Sequence, residues 1–397
     1  MKSFGPGFLI AAAFIGPGTV TTATLAGANF GYTLLWAVLF SVVATLILQE
    51  MSARLGIASG TGLAECLNNQ IGTHWFKYLV IALIVAAIGI GNAAYEAGNL
   101  TGAGIGLKNL LGGEIKYWAS LLGALAASLL ATGRYEIIQT ALTMLVLLMS
   151  LVFVSTLFVA EIHFAAMFKG LLIPAFDSAS ITTIIALIGT TVVPYNLFLH
   201  ASLAARYQPN LDKEQRLKLL RRDSRLAISI GGLITLAIVS TAAATWFNHQ
   251  LAPDIHNLAT QLSPILGSYA PLFFATGLFA AGLTSAITAP LATSYAICGA
   301  LGWETDMKSA KFKITWISIV VTGTLLCFLE LKPLAAILLA QASNGLLLPL
   351  IAICLLWFVN KNNIMQSWRN SLWQNLIAGS VILLVSGLGF YKVLSLF

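Results

Sequence analysis

"FIGPGTVTTATLAG", residues 14–27, lies inside the first apolar run of the chain and places Gly16, Pro17 and Gly18 where a membrane-crossing helix should be continuous. Proline removes a backbone donor and clashes with the carbonyl four residues back, and glycine lowers the cost of irregular backbone. A second run, "IIALIGTTVVPYNLFLHASLAA" (residues 184–205), carries Pro194 in the same mid-run position. Each break frees N–H and C=O groups at membrane depth. That is tolerated only where the break is buried in protein or lines a wet cavity.

The rest of the chain fits a membrane setting. Of its 397 residues, 58% are apolar and 9% charged, against roughly 25% charged in a soluble protein. Runs such as "LLWAVLFSVVATLILQEM" (34–51) and "LAISIGGLITLAIVSTAAATWF" (226–247) are each long enough for a ~30 Å hydrocarbon layer. They lack the polar face of a soluble helix. The hydropathy pattern predicts eleven spans, near 7–30, 33–55, 77–107, 116–132, 136–160, 181–204, 224–247, 270–300, 313–330, 334–359 and 372–396. The third and eighth are long, which calls for tilt. No cleavable signal peptide is expected. Segment 162–172, "IHFAAMFKGLL", suits a short surface helix.

With the N-terminus inside, 16 of the 21 basic residues fall on the cytoplasmic side. They include the cluster from Arg206 to Arg225, read here as a solvated connection at 205–223. The expected protein is therefore a multi-pass plasma (inner) membrane protein with its C-terminus outside. Its net charge of +7 is attributed to topology and anionic-lipid contact, not to nucleic acid. No oligomer is implied. Cys66, Cys298, Cys327 and Cys354 are scattered, three of them in apolar spans, and form neither a disulfide framework nor a zinc pattern. No phosphate loop or catalytic triad is present, so an enzyme is not expected.

Spans 1–5 and 6–10 form two five-helix sets with matched breaks. That pattern points to inverted repeats around a mid-membrane substrate site. The chain is thus expected to be one transmembrane transporter domain, residues 1–397. Repeat one covers about 7–160, repeat two about 181–359, and 372–396 is an added helix. Ordinary proline kinks are the alternative.

Several segments resemble the Nramp family of proton-coupled divalent-metal transporters. "GPGFLIAAAFIGPGTVTTATLAGANFGYTLLW" (5–36) and "LILQEMSARLGIASGTGLAE" (46–65) are similar to the family's first two helices. "GTTVVPYNLFLHASL" (189–203) is similar to its sixth. Fainter likeness continues through "GAGIGLKNLLG", "FAAGLTSAITAPLA" and "LLAQASNGLLLPL". The resemblance implies an all-α LeuT-type fold with helices 1 and 6 unwound at mid-membrane.

At the metal positions the chain departs from the family. The family's Asp-Pro-Gly-Asn matches Gly16, Pro17, Gly18 and Thr19 here. Its Ala-x-x-Met-Pro-His matches Thr190 through Tyr195, with Val193 in place of the thioether and Tyr195 in place of the first histidine; the second histidine survives as His200. Its helix 3 Asp-x-x-Glu pair becomes Glu96 and Asn99. Softer cations accept sulfur and hard ones need oxygen. Without the acid, a metal would rest on Thr19, Thr190, Tyr195, backbone carbonyls and Gln341.

The expected substrate positions are Gly16, Pro17, Gly18, Thr19, Thr190, Val193, Tyr195 and Gln341. The expected proton route is Glu96, Asn99 and His200. H⁺ or Na⁺ is the coupling ion, and no cofactor is expected. A helix N-terminus freed of its acid favours an anion or zwitterion, and Gly16 would clear room for it. The expected function is therefore an alternating-access secondary transporter altered away from Mn/Fe coordination, with a small organic solute as its cargo. A divalent-cation transporter (Mn, Fe or Mg), proton-coupled, is the first alternative, and a non-transporting regulatory paralogue the second.

Three polar assignments stay open. A buried carboxylate at mid-bilayer costs on the order of 2.5–3.5 kcal/mol, so Glu96 is either functional or hydrogen-bonded near Asn92 or Tyr95. His200 is either a switch or a packed histidine. Asn344, like Gln341, either faces the cavity or hydrogen-bonds between helices. Glu50 is expected to pair with Arg54, while Thr284, Ser285 and Thr288 suit helix packing.

Overall fold

The computed structural model describes residues 5–70, 75–249, 259, 262–329 and 348–394. Among the described residues every regular element is helical. The first half comprises α1 (Gly7–Phe14), α2 (Pro17–Phe30), α3 (Leu35–Ser59), α4 (Leu63–Gln70), α5 (Trp75–Leu111), α6 (Ile115–Ala131), α7 (Tyr135–Val159) and α8 (Phe164–Leu172). The second comprises α9 (Ile181–Thr191), α10 (Pro194–Arg206), α11 (Lys213–Ala242), α12 (Ser263–Leu266), α13 (Ala270–Ala300) and α14 (Ala310–Cys327). α15 (Leu348–Asn360), α16 (Asn362–Met365) and α17 (Leu372–Leu394) close the chain.

Among the described residues seven helices are long and apolar enough to cross a membrane, or up to nine if each bent pair counts as one span. Two shorter apolar helices, α6 and α17, occupy the places of expected spans 4 and 11. The flanks expose large apolar side chains, among them Leu151, Phe158 and Leu383, as a lipid-facing surface does.

Both expected breaks are present. Pro17 sits in the first turn of α2 and Pro194 in the first turn of α10, where a missing N–H costs nothing. α1 and α2 meet at 59°. The second interruption, over Val192 and Val193, stays within one 26-residue apolar run, Ile181–Arg206.

Small residues allow the breaks to be enclosed. α5 and α13 share the most extensive helix–helix contact. A Cβ on Gly282 of α13 would come within 2.9 Å of the Asn99 carbonyl, and one on Gly106 of α5 within 3.2 Å of the Ala275 carbonyl. Gly102 of α5 leaves space for the Pro17 ring, and Gly231 of α11 leaves space for Phe14.

Three differences from the sequence expectations have physical causes. The segment 205–223 is not all connection: α11 starts at Lys213 because the Asp212 carboxylate caps it, accepting from Gln215 N at 2.8 Å. The basic cluster thus rides on the first turns of a helix. α4 was not expected. It follows the left-handed Gly60 (φ 72°), which closes α3, and Glu65 fixes its start by accepting from Gly62 N at 2.5 Å. Glu65 also accepts from Thr305 Oγ1 at 2.5 Å, tying α4 to the segment after α13. The surface helix at 162–172 is α8. It exposes Phe164, Phe168 and Leu172 along one stripe, as an interfacial helix does. Gln341 and Asn344 lie outside the described residues.

Candidate functional site

The two breaks meet in the centre of the bundle. An α-helix leaves its last carbonyls without partners, and α1 ends buried inside the bundle. Side chains take over. Thr19 Oγ1 donates to the Phe14 carbonyl at 2.5 Å and Tyr195 OH to the Ala13 carbonyl at 3.1 Å, while Asn196 Nδ2 adds a second bond, at 3.3 Å, to the Ile10 carbonyl inside the helix. The Ala11 carbonyl keeps a backbone partner, Ile15 N at 3.2 Å.

The second break is served from α3. Thr45 Oγ1 donates to the Thr191 carbonyl at 3.4 Å and Ser52 Oγ to the Leu197 carbonyl at 2.5 Å. Thr190 turns its hydroxyl back on its own helix, donating to the Leu187 carbonyl at 3.0 Å. Val193 is buried at the start of α10 and offers only its backbone.

The three hydroxyls expected as ligands, on Thr19, Thr190 and Tyr195, have therefore given their protons to carbonyls. What they still offer is oxygen lone pairs. Gly16, Pro17, Gly18, Thr19, Thr190, Val193 and Tyr195 are all buried. The room expected at Gly16 is absent: a Cβ there would lie 2.7 Å from Ser285 Oγ and 3.4 Å from Asn99 Oδ1.

That vector leads to the most unusual feature of the interior. Ser285 Oγ, Asn99 Nδ2, both carboxyl oxygens of Glu96, Tyr95 OH and Asn196 Oδ1 are buried without a hydrogen-bond partner among the described residues. Burying an unpaired polar group costs about 1–3 kcal/mol. These groups gather where the two broken helices meet. Glu96 lies one turn before Asn99 on α5, its stem against Gly323 of α14. Tyr95 meets Tyr195 edge-on, ring centroids 5.9 Å apart. Neither neighbour expected to bond Glu96 does so here: Asn92 donates to Thr293 Oγ1 at 2.7 Å and Tyr95 OH is itself unpaired.

The structure thus brings Gly16, Thr19, Tyr195, Asn99 and Glu96 together and leaves His200 apart. Both ring nitrogens of His200 are engaged, Nδ1 with Gln49 Oε1 at 2.9 Å and Nε2 with Ser224 Oγ at 3.3 Å. The amide oxygen can only accept, so Nδ1 carries the proton as the side chains are placed. Asn196 and Ser285 join the site without having been singled out for it. Asn196 follows Pro194 by two residues, a signal the sequence does contain. Among the described residues no three His, Cys, Asp or Glu side chains converge as a metal cluster.

At the end of the bundle where α3 finishes, Glu50 is shared. It accepts from Arg54 Nε at 3.1 Å and from Arg221 NH2 at 2.6 Å. Arg54 also donates to the Trp368 carbonyl and, at 2.5 Å, to Asn370 Oδ1. The expected Glu50–Arg54 pair is therefore part of a clasp joining α3, α11 and the segment before α17.

Comparison with known proteins agrees with this architecture. A family model described as natural resistance-associated macrophage protein-like matches residues 7–395. A divalent metal cation transporter MntH from Klebsiella pneumoniae is 30% identical over 400 residues, covering 98% of this chain and 93% of its own. The Eremococcus coleocola manganese transporter, solved with an aromatic bis-isothiourea compound, superposes with a TM-score of 0.81 at 20% identity, covering 98% and 86% of the two chains. The nucleobase–cation symporter Mhp1 superposes at 0.65 with 15% identity, covering 98% and 91%, and shares the fold. With two broken helices at its centre and a family match across nearly its whole length, this chain belongs to the Nramp family, in the LeuT-type fold.

Proposed function

We propose that the chain carries a divalent metal cation across the plasma membrane by alternating access, coupled to protons, and that it holds the cation with oxygen donors alone. The supporting observation is the set of buried, unpaired oxygens by the breaks: Ser285 Oγ beside Gly16, Asn196 Oδ1, Tyr95 OH and the Glu96 carboxyl group. Lone pairs of the Thr19 and Tyr195 hydroxyls stand beside it. Such a set suits a hard cation that keeps part of its water, in the manner of Mg²⁺ or Mn²⁺, and offers no sulfur to a softer one. The name of the Klebsiella relative and that of the Eremococcus transporter point the same way.

The organic-cargo expectation loses its main physical support, since Ser285 and Asn99 fill the room it required. Glu96 stands a turn away from the Gly16 vector, placed to exchange a proton beside the cation rather than to enclose it. Thr190 has no part in holding the cation beyond its backbone, and His200 serves packing.

The test is uptake of Mn²⁺ and Mg²⁺ into proteoliposomes with an imposed proton gradient, together with calorimetric titration of the purified protein. Saturable uptake with proton movement is expected, with Glu96→Gln abolishing the coupling. Folded protein that binds neither cation would refute the proposal. Binding without flux would favour the regulatory paralogue.

A further inference from the structure

A basic groove lies away from the broken helices, beside the clasp. It has a volume of about 910 Å³ and is lined by Arg54, Lys218, Arg221, Arg222, Arg225 and Arg369, with Glu214 as its acid. A second hollow of about 600 Å³ shares Arg54, Arg221, Arg225 and Gln374 with it and runs on along Leu46 and Ile47 of α3 and Ile377 of α17. One continuous depression is therefore charged at one end and apolar at the other.

Its charges are not spent on the protein. Arg54 and Arg221 are held by Glu50. Among the described residues, Lys218, Arg222, Arg225 and Arg369 form no ion pair, and the first three recur at i, i+4 and i+7 on one face of α11. Four unneutralised cations lining one groove repel one another unless an anion enters.

The surroundings choose the anion. Beyond Arg225, α11 turns exposed Leu226 and Leu233 outward, and α17 opens with exposed Leu372, Trp373, Leu376 and Ile377. These are surfaces that acyl chains cover, so the groove sits where the polar layer of the bilayer gives way to hydrocarbon.

We infer that this depression is a binding site for an anionic glycerophospholipid, its phosphodiester among Lys218, Arg222, Arg225 and Arg369 and its acyl chains along Leu46, Ile47 and Ile377. A soluble phosphate would satisfy the charges and leave the apolar half empty. A zwitterionic lipid would fill the apolar half and bring its own cation into a cationic site. A lipid seated here also touches Arg54 and Arg221, both members of the clasp, so its presence bears on how firmly that end of the bundle is held. The inference is independent of the cargo.

The test uses the full chain, delipidated in detergent, with native mass spectrometry of retained phosphatidylglycerol and phosphatidylcholine. Each basic residue near a lipid phosphate is worth roughly fivefold in association. The wild type should prefer phosphatidylglycerol, and the Lys218→Gln/Arg222→Gln/Arg225→Gln variant should lose at least tenfold of that preference. Glycerol 3-phosphate at millimolar concentration should not compete. A variant with undiminished preference, or competition by glycerol 3-phosphate equal to that of the lipid, overturns the inference. A measurement on the unmodified chain guards against misfolding of the variant. Phosphatidylglycerol with a photoreactive group in its acyl chain should label peptides carrying Leu46, Ile47 or Ile377, and labelling confined to other helices overturns it as well.

Discussion

Gly16 caps the second half-helix at the first break, and its surroundings make a quantitative test. Its backbone is extended (φ −104°, ψ 178°), a conformation open to any residue, so Gly16→Ala carries no conformational penalty there. The cost comes from space: the new methyl would lie 2.7 Å from Ser285 Oγ and 3.4 Å from Ser285 Cβ. Overpacking of this kind costs about 1–3 kcal/mol. Ser285→Ala removes the nearer atom and leaves the 3.4 Å contacts to Ser285 Cβ and Asn99 Oδ1. Because Ser285 Oγ is buried and unpaired, deleting it alone should be neutral or stabilising by up to about 1 kcal/mol. The double variant should then recover most of the loss, giving a coupling of about 1–2 kcal/mol in a double-mutant cycle. Reversible unfolding of the purified protein by SDS titration in mixed micelles measures all four corners. If Gly16→Ala costs the same with and without Ser285, the Gly16 vector does not point at Ser285 and the site collapses as drawn. The same pair sets a functional expectation: Gly16→Asp should be tolerated only beside Ser285→Ala, and that double variant should bind Mn²⁺ more tightly than the wild type by calorimetry.

Tyr195→Phe keeps the ring against Tyr95 but strips the Ala13 carbonyl of its donor; a loss of about 1–3 kcal/mol is expected in the same unfolding assay. Glu96→Gln should leave stability within about 0.5 kcal/mol of wild type or raise it, since no hydrogen bond is lost, and a large loss would mean that Glu96 has a structural partner. Glu50→Gln takes the shared carboxylate from buried Arg54 and from Arg221 and should cost about 1–3 kcal/mol. Combined with Arg221→Gln, the two losses should be clearly less than additive, a result absent if the clasp is not formed in solution.

The architecture was legible because its signals are backbone signals. Proline and glycine act on the chain wherever it runs, so Gly16-Pro17-Gly18 and Pro194 marked the breaks without any knowledge of neighbours. The site was legible only in part. The missing side chain at Gly16 looked like vacant volume, and nothing in the sequence says that Ser285, on a helix 269 positions later, occupies it. A hydroxyl or amide within an apolar helix reads alike whether it bonds its own backbone, as Thr190 does, or stands unpaired, as Ser285 does. The start of α11 was hidden for a different reason. Its charge density resembles a solvated loop, and only the Asp212 cap and the helical spacing of Lys218, Arg222 and Arg225 give it away.

The bonds from Tyr195 and Asn196 to the carbonyls of Ala13 and Ile10 lash the first half-helix to the one after Pro194. If α1 swung out alone it would leave the buried Ala13 carbonyl without its donor, at about 1–3 kcal/mol, and would lose the second bond to Ile10. Unless a ligand or water replaces those donors, the cheaper motion takes both half-helices as a single lever. Spin labels on the two should then hold a constant separation while the distance from either to α5 changes.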